Sequence, residues 1–202
     1  MINWFKSNPE EGARQTPAQV IWELLKVLVV SFAIVVPVRL FIFQPFYVQG
    51  QSMEPTFEDH DYLIIDELSY RFNEPKRGDT VVFRYPADPS QYYIKRMIGL
   101  PGERVTITDS VITIYSQQYP KGLSLDESYL DPKSRTYVEG NWLDITLGKE
   151  EFFLLGDNRL NSSDSRRFGP VNHRYLIGRV WLRGWPVSKA TAFGGYDYTP
   201  RQ

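Results

Sequence analysis

From Leu24 to Phe43 the chain reads LLKVLVVSFAIVVPVRLFIF, twenty residues in which Lys26 and Arg39 carry the charge. A helix of that length spans about 30 Å, the thickness of the hydrocarbon core of a bilayer. The two cations stand near its ends, where long side chains can reach the headgroups. Pro37 would kink the helix, which membrane helices tolerate. Upstream, Thr16-Pro17 reads as a helix start, a cap followed by proline at the first helical position. Two other readings of the run compete with it. Val27 to Val38 is short enough for the apolar part of a cleaved signal peptide, but Pro-Val-Arg-Leu-Phe follows it without a small-x-small cleavage site. A buried core helix would need helical neighbours, and no other stretch looks helical enough. The pattern therefore predicts a tail over residues 1–19 and one transmembrane anchor over 20–43.

Flanking charge predicts the orientation. Lys6, Arg14 and Lys26 lie on the amino side, while Gln44 to Leu63 has no Lys or Arg and carries Glu54, Glu58, Asp59 and Asp61. Positive residues favour the cytoplasm, so the amino end is expected inside and the larger domain outside. The 202 residues carry a formal net charge of −1, which gives no support to nucleic-acid binding. There is no cysteine, which excludes a disulfide framework and Cys-based zinc sites.

Beyond the anchor the periodicity shifts to two. Phe46–Val48, Tyr62–Ile65, Thr80–Phe83, Tyr92–Ile98, Arg104–Thr108, Val111–Tyr115, Trp142–Ile145, Glu151–Leu155 and Leu176–Leu182 read as strands, with Asp109-Ser110 as a tight turn. Residues 116–150 otherwise read as an irregular surface excursion. Fourteen prolines and fourteen glycines, with many Tyr and Phe, agree with a turn-rich β domain. The expected fold is mainly β: an antiparallel, partly closed sheet or barrel domain over 44–186, behind one amino-terminal transmembrane helix. A flexible tail is expected over 187–202.

Ser52 comes nine residues after Phe43, within Gln49-Gly50-Gln51-Ser52-Met53-Glu54-Pro55-Thr56. A serine hydroxyl is a weak nucleophile until a base takes its proton. Histidine is the usual base, and the chain has His60 and His173. The order Ser52, Asp157, His173 mimics a hydrolase triad. However, Glu54 occupies the second glycine position of the Gly-x-Ser-x-Gly elbow, and no helix–strand alternation supports that fold. Lys95 is the other candidate. In Tyr93-Ile94-Lys95-Arg96-Met97-Ile98 alternate residues share a face, which puts Lys95 between Tyr93 and Met97. Loss of hydration there would lower its pKa and leave some neutral amine to act as a base. On this stretch alone, the lysine reads first as one that blocks edge-to-edge strand pairing, since charged edge residues are common. The acidic loop from Asp157 does not fit calcium: Arg159, Ser162 and Phe168 stand where an oxygen ligand, glycine and glutamate are needed. No metal and no cofactor are expected.

Taken together, four motifs resemble those of the bacterial type I signal peptidases, membrane-anchored Ser/Lys proteases. Phe43-Gln44-Pro45-Phe46 leading into Gly50-Gln51-Ser52-Met53-Glu54-Pro55-Thr56 is similar to the nucleophile motif. Gly78-Asp79-Thr80-Val81-Val82-Phe83 resembles the next strand, and Tyr93 to Glu103 the lysine motif. Gly156-Asp157-Asn158-Arg159-Leu160-Asn161-Ser162-Ser163-Asp164-Ser165-Arg166-Arg167-Phe168-Gly169 resembles the last one. The resemblance runs from the anchor to Leu182.

It implies that Ser52 attacks the scissile carbonyl, with Lys95 as general base and then general acid. Ser162 would hydrogen-bond and orient the lysine amine. The backbone N–H of Ser52 would donate to the oxyanion. Some family members add a serine hydroxyl two residues before the nucleophile; Gly50 stands there in this chain, which leaves the second donor open. Asp164 and Arg166, with Asp157 and Arg96, would support the site. The implied partners are the signal peptides of exported preproteins, the lipid bilayer and the protein-translocation machinery, with no nucleic acid. The implied location is the cytoplasmic membrane of a bacterium. Two other functions compete with this one. A LexA-like self-cleaving protein would need an amino-terminal DNA-reading helix pair and an internal Ala-Gly site, and no Ala-Gly pair occurs. A non-catalytic β binding domain would be indifferent to Ser52 and Lys95.

Overall fold

Thr16 begins the helix through a reciprocal cap. In the computed structural model, which describes residues 16–41, 43–131 and 134–198, the Gln19 N–H donates to Thr16 Oγ1 and the Thr16 N–H to Gln19 Oε1. Such a pair satisfies two orphan donors of the first turn. Helix α1 then runs over Pro17–Phe41. Residues 17–36 are long and apolar enough to cross a membrane, and their large side chains, Trp22, Leu24, Leu28 and Phe32 among them, are exposed. An apolar helix without protein around it is stable only in a medium that does not penalise that surface. The chain divides after Leu40 into two units. Residues 1–15 of the expected amino-terminal tail lie outside the described residues, as do 199–202.

The second unit is built on antiparallel strands. In chain order these are β1 (Phe43–Tyr47), β2 (Tyr62–Asp66), β3 (Thr80–Tyr85), β4 (Asp88–Gly99), β5 (Arg104–Thr108), β6 (Val111–Tyr115), β7 (Leu123–Ser124), β8 (Trp142–Thr146), β9 (Glu151–Leu155), β10 (Val171–Asn172), β11 (Leu176–Trp185) and β12 (Thr191–Ala192). Two short helices, α2 (Ser69–Phe72) and α3 (Ser165–Phe168), interrupt them. The larger sheet has the order β1-β2-β11-β3-β4-β9-β10, with β12 added on β11; the smaller one has the order β7-β6-β5-β8. The two sheets are open and no barrel closes, so the antiparallel part of the expectation holds. Asp109 and Ser110 both take positive φ, 51° and 69°, and close the β5–β6 hairpin as a primed turn requires.

Three apolar clusters fill the unit. Val105, Ile107, Ile112 and Ile114 of the small sheet pack with Ile98, Phe153 and Leu155 of the large one. Val81, Phe83, Met97, Phe152, Leu154 and Val171 form a second cluster. The third joins Val48, Met53 and Phe57 to Leu63, Ile65, Val82 and Val180. It fixes the segment around Ser52, because Met53 and Phe57 are fully buried on either side of its turn. Burying side chains of that size stabilises by roughly 1.5–3 kcal/mol each.

Two segments differ from the sequence reading. Residues 116–150 supply β7 as well as the expected β8 to the small sheet and bury Leu123, Leu125, Leu130 and Thr136. A strand of two residues, such as β7, shows too few alternations to stand out as a period. Of the expected flexible tail, residues 191–192 pair with β11, and Tyr198 is buried in the cluster with Ile98 and Val105.

Candidate active site

Lys95 sits on β4 opposite Val81 of β3. The strand's pleat gives Tyr93 and Met97 to the same apolar cluster, and the lysine between them is 3 % exposed. Its Nζ is 2.8 Å from Ser52 Oγ, donates to the Ile94 carbonyl at 2.8 Å, and lies 5.4 Å from the Tyr93 ring centroid. Burial pushes its pKa down to about 8, against the upward pull of the Asp164 and Asp157 carboxylates. A buried ammonium loses hydration that these contacts replace only in part. The lysine is therefore interior, and the edge-blocking reading falls.

Ser52 is held from both sides of the chain. Before it, the Gly50 N–H donates to Asp59 Oδ1 at 2.8 Å, and Gly50 has a φ of 90°. After it, the Glu54 N–H reaches the Gln51 carbonyl and the Phe57 N–H the Met53 carbonyl, closing a compact turn. Across from it, the Asn158 N–H donates to the Ser52 carbonyl at 3.1 Å, and Asn158 Nδ2 to the Gln51 carbonyl at 3.0 Å. Among the described residues no acceptor takes the Ser52 N–H. Gly156 is packed so closely that an added Cβ would collide with the Ser162 side chain and the Ser52 carbonyl. Glycine is what lets the two loops approach.

A buried ion pair ties strand β4 to the loop that carries Asp157. Arg96, the residue after the lysine, donates through Nε to Asp157 Oδ1 at 2.8 Å and through Nη2 to Oδ2 at 2.6 Å. Asp157 also accepts from Thr56 Oγ1 at 2.6 Å, and Arg96 Nη1 donates to the Gly78 carbonyl at 2.9 Å. Bidentate geometry with the remaining donors and acceptors satisfied is what a buried pair needs to be tolerated. Asp164 and Arg166 form a second pair, with 2.8 Å contacts from Nε and Nη2. Asp164 also caps α3 and accepts from the Gly156 N–H. Burial raises the Asp164 pKa, but the Arg166 guanidinium and the Gly156 N–H outweigh that and hold it below the usual range.

Ser162 lies inside this frame, 5 % exposed. Its Oγ makes no hydrogen bond of good geometry, though it is near enough to Asp164 to help lower that carboxyl. Ser52 and Lys95 are thus brought together, with Arg96, Asp157, Asp164 and Arg166 around them. Ser162 is beside them with its hydroxyl unengaged. The histidines are elsewhere: His60 is 3.1 Å from Asp59, and His173 packs against Phe152. Thr56 and Asn158 also support the site, and they lie inside the nucleophile motif and the last motif of the sequence. Tyr129, whose ring lies 4.5 Å from the Arg96 guanidinium carbon, gave no signal in an aperiodic stretch. No group of His, Asp or Glu side chains among the described residues could hold a metal ion.

Beside Ser52 opens a cavity of about 690 Å³. Phe46, Tyr47 and Gln49 line one side, and Gln91, Tyr92 and Ile94 the other. Strand β1 ends the large sheet, so its side away from β2 carries no partner strand among the described residues. Strand β9 pairs with β4 only at Arg96, Met97 and Gly99, which leaves the stretch of β4 before Lys95 open on that side.

Comparison with known proteins supplies the family. The description "Signal peptidase, peptidase S26" matches residues 21–185. "Signal peptidase I" of Bacillus caldolyticus is 38% identical over 170 residues, which cover 79% of this chain and 89% of that one. "Probable signal peptidase I-2" of a Synechocystis species is 35% identical over 184 residues, covering 87% and 79%. "Signal peptidase IB" of Staphylococcus aureus is 32% identical over 187 residues, covering 86% and 92%.

Proposed function

The chain belongs to the signal peptidase family, peptidase S26, and on that premise we propose that it is a membrane-anchored serine endopeptidase that cuts signal peptides from exported precursor proteins. The observation that carries this is the 2.8 Å approach of a buried lysine amine to a loop serine hydroxyl. In the proposed mechanism Ser52 Oγ attacks the scissile carbonyl while its proton passes to the neutral Lys95 amine. The Ser52 N–H, which no acceptor takes among the described residues, would donate to the resulting oxyanion. Lys95 then protonates the leaving amine, and later takes a proton from the water that hydrolyses the acyl-enzyme. A rotation of the Ser162 hydroxyl toward Nζ would give the lysine an orienting partner. Asp164 and Arg166 keep that serine in place.

The open sides of β1 and β4 favour an extended substrate. A peptide laid between them gains backbone hydrogen bonds from both, with alternate side chains entering the cavity. The anchor fits a substrate whose own signal peptide lies in a bilayer. Ser52 lies nine positions after Phe43, a reach of about 30 Å at most. We propose further that the amino end faces the cytoplasm and the β unit the outer side of a bacterial cytoplasmic membrane, as the flanking charges favour. Contact with the translocation machinery would follow from that location.

The test is incubation of the purified chain in detergent with a precursor that bears a signal peptide. One cut at the signal-peptide junction is expected, and an intact precursor would refute the reading. The same assay gives the pH dependence. The neutral amine is the active form, so kcat/KM should rise by about tenfold per pH unit at acidic pH. It should level off above a midpoint near the Lys95 value of about 8. A flat profile across that midpoint would remove Lys95 as the base.

A further inference from the structure

The family match stops at residue 185, yet the chain beyond it folds back beneath the site. The Phe193 N–H donates to the Trp181 carbonyl at 2.8 Å, which turns the segment along β11. The Tyr196 N–H then donates at 3.1 Å to the Gly78 carbonyl, the same oxygen that accepts Arg96 Nη1. Gly78, at a φ of 90°, lies so close to the Tyr196 backbone that a Cβ would have no room. Tyr198 is 6 % exposed, and its hydroxyl is 2.7 Å from that of Tyr129. The Tyr129 ring in turn underlies the Arg96 guanidinium, and its hydroxyl accepts from Arg159 Nη2 at 3.2 Å. Arg159 is itself bound to Glu127.

The segment thus touches two of the groups that fix Arg96: the carbonyl it donates to and the ring beneath it. Arg96 holds Asp157, Asp157 holds Thr56, and the neighbouring Asn158 holds the Ser52 turn. We propose that Gly194–Tyr198 is a strap that positions Arg96, and through Asp157 the Ser52 turn, and that Tyr198 is a positioning residue for the cleavage reaction. This rests on the function proposed above.

Loosening the strap would leave Asp157 less well neutralised. The carboxylates that act on the Lys95 amine are Asp164, paired with Arg166, and Asp157, paired with Arg96; both favour the ammonium. Less compensation at Asp157 therefore moves the lysine titration upward. Tyr198→Leu keeps apolar bulk but loses the hydroxyl and the ring contact with Tyr129; Tyr198→Phe loses the hydroxyl alone.

The experiment follows Lys95 by NMR of labelled lysine in the full chain, alongside precursor cleavage. For Tyr198→Leu the Lys95 midpoint should rise by about half a pH unit. Its kcat should fall about tenfold, with KM within about twofold. Tyr198→Phe should move the midpoint in the same direction by less and recover most of kcat. A folded Tyr198→Leu protein with an unmoved midpoint overturns the strap, as does a loss of kcat that only tracks a loss of folded protein. If Tyr198→Leu does not fold, an unmoved midpoint in Tyr198→Phe overturns it equally. Failure of the unaltered chain to cut would instead overturn the functional reading, because the NMR midpoint is read without turnover.

Discussion

Lys95→Met should lower kcat/KM for precursor cleavage by about 10⁴-fold while the protein stays folded. Methionine has similar length and suits an apolar site, so the pocket beside Tyr93 stays filled. What disappears is the one basic group within hydrogen-bond distance of Ser52 Oγ among the described residues. Ser52→Ala should cost as much, and the double variant no more, because nucleophile and base act as a unit. Stability should move the other way. The folded-state pKa of Lys95 is about 8, against an ordinary 10.5. Below about 8 the amine is charged in both states, and the folded state carries the full penalty of burying it. From there to 10.5 the penalty is relieved, because the unfolded chain binds the proton more tightly. A shift of that size corresponds to on the order of 3 kcal/mol, less the value of the hydrogen bonds the ammonium makes. The Tm of Lys95→Met should therefore exceed that of the parent near neutral pH, and the gap should narrow at alkaline pH. A Lys95→Met protein that keeps more than about 1% of the rate would end the dyad mechanism.

The sequence disclosed the site better than its supports, for a physical reason. Strands such as Arg104–Thr108 and Val111–Tyr115 declare themselves because one face is buried and the other is not, and the positive-φ turn between them is short. Ser52 and Lys95 were legible through the four motifs taken together, since a loop serine and a strand lysine each have an ordinary reading when taken alone. The pairing of Arg96 with Asp157 is a contact across 61 positions, which no local period can encode. Tyr129 and Tyr198 look like ordinary loop aromatics until the fold stacks one beneath Arg96 and bonds the other to it. β7 and β10 have two residues each, too few for alternation to appear.

Arg96→Met should destabilise the protein by about 3–5 kcal/mol, the loss expected when one member of a buried ion pair is removed. The Asp157 carboxylate would remain buried with the Thr56 hydroxyl as its surviving side-chain donor. The Tyr129 ring would lose the cation above it, and the Gly78 carbonyl one of its two donors. Because Asn158 ties the same loop to Ser52 and Gln51, slackness there displaces the nucleophile, and kcat should fall about 10²-fold. Arg96→Met with Asp157→Leu separates the two effects. Removing both charges should return most of the lost stability, since no uncompensated carboxylate is left. The rate should stay low, because Thr56 then has no acceptor and the Asn158 contacts are left to hold the two loops together. Denaturant melts and single-turnover cleavage of the single and double variants measure the two quantities independently. If the rate returns in step with stability in the double variant, the pair serves the core alone and does not position Ser52.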